Sequence, residues 1–131
     1  MKPIECYEID TTDDFDKAVE RFVTKKNFKK LPHLIEDVKG YLAKGDFHGN
    51  LLFDIEKPRP IKVYKLRLPN PDANVGKSGG FRLIYAIETA LKFIVLTVVY
   101  YKKEQAAVSE AYITGLINGF FTDFDNFDDD R

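Results

Sequence analysis

The chain has one cysteine, Cys6, and two histidines in 131 residues. A single cysteine forms no internal disulfide, so a reducing compartment, the cytoplasm, is expected. His33, His48 and Cys6 show none of the ligand spacings that zinc sites use. No metal and no cofactor is expected, and no Ser-His-Asp or Cys-His set can be assembled from these residues. Long apolar runs are also missing. None is long enough to span a bilayer, and the opening MKPIECYEID lacks the apolar core of a secretory signal, so no membrane role is expected. GKS at Gly76–Ser78 is not a nucleotide loop: Pro71 stands where its first glycine belongs, and a strand pattern follows instead of a helix.

What is present is a globular composition, 44% hydrophobic and 31% charged, of single-domain size. The net charge of −1 conceals a strong segregation. Residues 1–20 carry two basic and seven acidic groups, net −5. Residues 21–103 carry seventeen basic and seven acidic, net +10, and residues 104–131 carry one basic and seven acidic, net −6. A basic centre between acidic ends can present a positive face to a polyanion. Lys25, Lys26, Lys29 and Lys30 read as solubilising charge on a helix surface.

The local patterns predict an α+β domain over residues 1–121. A short strand spans Ile4–Ile9. Asp10, Thr11 and Thr12 supply helix caps, and Asp13, Asp14 and Asp16 suit a first helical turn. Phe15, Val19, Phe22 and Val23 then fall on one helix face. A second helix carries Leu31, Leu34, Ile35, Val38 and Leu42, with Pro32 in its first turn and Gly45 as its stop. Residues 46–60 read as a loop anchored at Leu51, Leu52 and Phe53. Three strands follow, Ile61–Leu68, Gly80–Ile87 and Phe93–Tyr101, as an antiparallel meander. Val63, Lys65 and Arg67 share one strand face, opposite Tyr64, Leu66 and Leu68. Ser109 caps a short final helix with Tyr112, Ile113, Leu116 and Ile117. The expected whole is an antiparallel sheet with the helical pair on one face, followed by an acidic flexible tail, 122–131. That tail either is solvated or folds back to mask the basic face.

One constellation carries chemistry: K-x-R at Lys65 and Arg67, then GKSGGFR, then YYKK ending at Lys103. The segment KVYKLRL…GKSGGFRLIYAI…FIVLTVVYYKKEQAAVSEAYI resembles the RelE/HigB toxins of the RelE/ParE superfamily, strongly over residues 61–117 and only in element order over 4–45. The resemblance implies a small α+β domain with an open functional face. It also implies a toxin of a toxin–antitoxin pair that cleaves mRNA on the ribosome without metal and is neutralised by an antitoxin protein. Carried over by position, Lys65, Arg67, Arg82 and Lys103 become the catalytic set. Lys62, Lys77, Ser78, Tyr101 and Lys102 become RNA contacts, Lys77 and Ser78 through side chain and exposed amides. Ser109 stands where some members have a catalytic tyrosine, and Tyr100 or Tyr101 is the available phenol.

Such cleavage needs the 2′-OH deprotonated, the phosphate dianion stabilised and the 5′-oxygen protonated. Arginine cannot be the base, but its planar fork suits phosphate, so Arg67 and Arg82 become charge stabilisers. Lys65 is the candidate base and Lys103 the candidate acid. The alternatives are phosphate binding without catalysis, a gyrase-inhibitor-like protein acting by protein contacts, and an inactive scaffold.

Overall fold

The computed structural model describes residues 6–129, and the side chains of residues 6–126. Strand β1 is Glu8–Thr11, followed by helices α1 (Asp13–Lys25) and α2 (Leu31–Ala43). Strands β2 (Asn50–Ile55), β3 (Ile61–Leu68), β4 (Phe81–Glu88) and β5 (Phe93–Tyr101) follow, and helix α3 (Glu110–Asp129) ends the described chain. The expected start of the first strand at Ile4 lies outside the described residues, as do residues 130 and 131 of the tail.

The sheet is mixed, in the order β1-β5-β4-β3-β2. The β2–β3, β3–β4 and β4–β5 pairs are antiparallel, but β1 lies parallel to β5. The purely antiparallel sheet expected from sequence is therefore corrected. The α1–α2 pair bridges from β1 to the far edge strand, so β1 joins the last strand of the meander in the same direction. Segment 46–60 also differs from expectation. Asn50–Ile55 forms β2 because its backbone finds a partner ladder in β3, with Phe53 opposite Val63 and Ile55 opposite Ile61.

Both sheet faces are covered, unequally. The α1–α2 face packs Phe15, Phe22, Leu31 and Leu42 against Leu66, Phe81, Leu83 and Leu96. Thr12 joins α1 to the sheet: its hydroxyl accepts from Phe15 N at 3.0 Å as the helix cap and donates to Thr97 O at 2.7 Å. The other face packs Ile61, Val63, Ala86, Phe93 and Val95 against Ile113, Ile117 and Phe121 of α3. Each such buried valine, leucine, isoleucine or phenylalanine contributes roughly 1.5–3 kcal/mol of transfer free energy.

Helix α3 is not short and does not stop at residue 121. Phe120, Phe121 and Phe124 continue the stripe of Ile113 and Ile117, and all three ring on Phe93 at centroid distances of 5.8, 6.3 and 5.4 Å. Arg59 closes this end, with its guanidinium 4.5 Å over the Phe121 ring and 2.7 Å from Asp125 Oδ2. The flexible tail expected from residue 122 is thus helical through Asp129. Asp125 sits beside Arg59, near the start of β3. Arg67 lies six residues beyond Ile61, about 20 Å along the strand. The described part of the tail is not placed to mask it.

Candidate nucleic-acid interface

The site is built from strand alternation and one bulge. Odd residues of β3 put Lys65 and Arg67 on the same face as Ile61 and Val63. The cross-strand partner of Arg67 is Arg82, and that of Arg82 is Tyr100. Arg67, Arg82 and Tyr100 therefore form a row across β3, β4 and β5 at the end of the sheet distant from Arg59.

Tyr100, not Tyr101, belongs to this row because β5 bulges at Thr97. Ile84 pairs with Val98 while Tyr85 pairs with Leu96, which leaves Thr97 as the extra residue. A bulge moves every later side chain to the other face. Phe93 and Val95 face α3 before it, and Val98 and Tyr100 after it. Tyr101 turns into the helical-pair core, with ring centroids 5.3 Å from Phe28 and 5.2 Å from Phe81. Its expected role as an RNA contact is corrected on that ground. Lys62 also falls outside the site, since alternation sends it to the opposite face, where its ammonium lies 3.1 Å from Asp54 Oδ1.

Arg82 is held differently from Arg67. It is 2% exposed. Its Nη1 donates to Lys77 O at 2.8 Å and Phe81 O at 3.2 Å, and its Nη2 to Ser78 O at 2.8 Å. Burial lowers its pKa first and the facing Arg67 charge lowers it further, with Tyr100 acting the other way. Arg67 is exposed and Lys65 half-buried. Like charges directly opposite on neighbouring strands repel. No carboxylate among the described residues offsets this pair: Lys65, Arg67, Lys77, Lys102 and Lys103 make no ion pair with any described residue.

The β3–β4 loop brings Lys77, Ser78 and Lys103 to the same corner. Asn70 anchors the loop through paired backbone bonds with Val75 at 2.8 and 2.9 Å. Gly80 has no room for a side chain, since a Cβ there would stand 2.1 Å from Leu68 O. Lys102 N donates to Gly80 O at 2.9 Å, tying the loop exit to the end of β5. Lys103 Cε lies 3.5 Å from the place a Cβ on Gly79 would occupy.

Burial raises the Tyr100 phenol above its usual value, and the facing Arg82 charge partly offsets this. The phenol is thus protonated at neutral pH. Tyr100 lines an open recess of about 430 Å³ with Asp14, Arg21, Ser109 and Tyr112. Ser109 is an N-cap for α3, its Oγ accepting from Tyr112 N at 3.1 Å. The Tyr112 hydroxyl donates to Asp14, which raises its own pKa.

Among the described residues no group of His, Cys, Asp and Glu converges as a metal set, and no helix is long and apolar enough to cross a membrane. The structure thus gathers Lys65, Arg67, Arg82, Lys77, Ser78 and Lys103 at one end of the sheet, with Lys102 tied there by its backbone, puts Lys62 and Tyr101 on the opposite face, and sets Tyr100, of the two candidate phenols, beside Arg82. No family model, characterised protein or solved structure matches the chain.

Proposed function

We propose that this protein is a metal-independent mRNA endonuclease acting on the ribosome, the toxin of a toxin–antitoxin pair of RelE/HigB type. The observation that carries the proposal is the corner of cations without acidic partners, with Arg67 set directly against Arg82. Such a like-charge cluster is relieved by a polyanion and by little else.

In the proposed reaction the 2′-oxygen attacks the adjacent phosphorus as its proton leaves. The P–O5′ bond breaks, and the 5′-oxygen takes up a proton. The products are a 2′,3′-cyclic phosphate and a 5′-hydroxyl. Arg67, the exposed fork, stabilises the added charge on the phosphate oxygens. Lys65 on the same strand face holds the 2′-oxygen as its proton passes to solvent water. The protonated Tyr100 phenol and the Lys103 ammonium are the two available donors to the 5′-oxygen. A neutralising antitoxin would have to cover this corner and present acidic groups to it.

The protein-contact alternative has one observation of its own. Edge strand β2 exposes Leu51 by 47% and Leu52 by 39%, an apolar edge open to a partner strand. Controlled expression in a bacterium with mapping of mRNA 5′ ends separates the two. Cuts within translated codons that vanish in Lys65→Ala support the nuclease. Growth arrest with intact mRNA would replace it with a protein target.

A further inference from the structure

The inward guanidinium of Arg82 has a consequence for the loop it grips. The carbonyls of Lys77 and Ser78 both turn toward it, at 2.8 Å each. In a trans peptide the C=O of one residue and the N–H of the next point in opposite directions. The N–H groups of Ser78 and Gly79 therefore face away from Arg82, out of the fold. Neither donates to any acceptor among the described residues. Lys77 is exposed beside them, and Lys103 reaches to Gly79 from the end of β5. Gly79 leaves this surface clear, because a Cβ there would press to 3.1 Å from Val75 Cγ1. Two adjacent outward amides, on a turn that carries Lys77 and lies against the Lys103 side chain, suit an oxyanion.

We infer that the Gly76–Gly79 turn is a phosphate cradle, with the Ser78 and Gly79 N–H groups as donors and Lys77 and Lys103 as flanking charges. Arg82 is then a positioning residue that holds the cradle open from within and does not itself touch phosphate. The inference rests on the RNA-cleaving function proposed above, which it deepens by naming a backbone contact for the RNA phosphodiester. It also reassigns Arg82 from charge stabiliser to loop clamp, and leaves Arg67 as the fork facing the substrate.

The test is a titration of ¹⁵N-labelled protein, first with inorganic phosphate and then with a short 2′-O-methyl oligoribonucleotide, which cannot be cleaved. Both ligands are expected to shift the Ser78 and Gly79 amides saturably, the oligonucleotide at much lower concentration. Arg82→Lys, which keeps the charge but loses the fork, is expected to weaken oligonucleotide binding about tenfold. Amides that stay put while the Arg82 Nε–H resonance moves would overturn the inference, as would undiminished binding by Arg82→Lys. A response to inorganic phosphate but not to the oligonucleotide would overturn the RNA assignment. Should Arg82→Lys fail to fold, Ser78→Pro deletes one donor on an exposed turn. It is expected to cost about tenfold in binding, and unchanged affinity would count against the cradle. Amide shifts without mRNA cuts would keep the cradle and remove the nuclease. Cuts without amide shifts would do the reverse.

Discussion

The two ends of the α3-facing sheet surface treat charge in opposite ways. At the Phe93 end Arg59 is sandwiched between Phe121 and Asp125, and the contacts of Phe93 with Phe120, Phe121 and Phe124 seal the helix onto the strands. At the other end Arg67 is exposed, its cross-strand partner is another arginine, and Lys65, Lys77, Lys102 and Lys103 find no described carboxylate. Elsewhere several cations are paired: Glu104 takes both Arg21 and Lys26, and Asp54 takes Lys62. What sets the corner apart is the placing of its charges: Arg67 and Arg82 stand directly opposite on neighbouring strands, whereas Arg59 faces a carboxylate.

The difference can be broken most severely at the sealed end. Phe121 is 4% exposed, and Phe121→Ala is expected to cost about 3–5 kcal/mol in chemical denaturation. A loss below about 1 kcal/mol would mean that α3 is not anchored as described. At the bare end the expected effect is on binding. Arg67→Ala and Lys103→Ala should each reduce the slope of log affinity against log salt for RNA by about 1. Lys62→Ala, on the opposite face and paired, should leave that slope unchanged.

The smallest effect sharpens the contrast from the paired side. Burial pushes the Glu104 carboxyl up, but the hydrogen bonds and charges of Lys26 and Arg21 outweigh it and hold the group below its ordinary value. A carboxyl with a depressed folded pKa contributes stability above its unfolded pKa, about 4.3, and loses that contribution as the pH falls through the lower folded value. With both partners well exposed, the contribution is at most about 1 kcal/mol. Urea denaturation of Glu104→Gln should fall short of wild type at pH 7 and converge with it as the pH falls through the lowered folded pKa.

Much of this arrangement is legible in the chain, and its failures have identifiable causes. Helical periodicity marks α1 and α2, and the alternation of β3 correctly groups Lys65 and Arg67. In β5 every residue from Phe93 to Tyr101 is buried, so no polar–apolar alternation signals the bulge at Thr97, and the sequence alone leaves Tyr100 and Tyr101 as equal candidates for the phenol. The parallel pairing of β1 depends on where two helices carry the chain, which no local pattern encodes. β2 hides in a segment whose three apolar residues in a row read as an anchor. In the tail two signals compete: its aspartates suggest disorder, while Ile113, Ile117, Phe120, Phe121 and Phe124 stand at helical spacing, and the helix runs through Asp129. Arg82 is recognisable as important from the glycine–aromatic–arginine run, but its inward direction appears only once the loop carbonyls are in place.

The most direct test of the account compares the two ends in one assay. Arg67→Ala and Arg59→Ala are expressed beside wild type, and mRNA 5′ ends within translated codons are counted. Wild type and Arg59→Ala are expected to yield the same cuts, and Arg67→Ala to lose them by about 10²–10³-fold. Equal cutting by all three, or loss in Arg59→Ala with retention in Arg67→Ala, would contradict the assignment of the bare corner as the working surface.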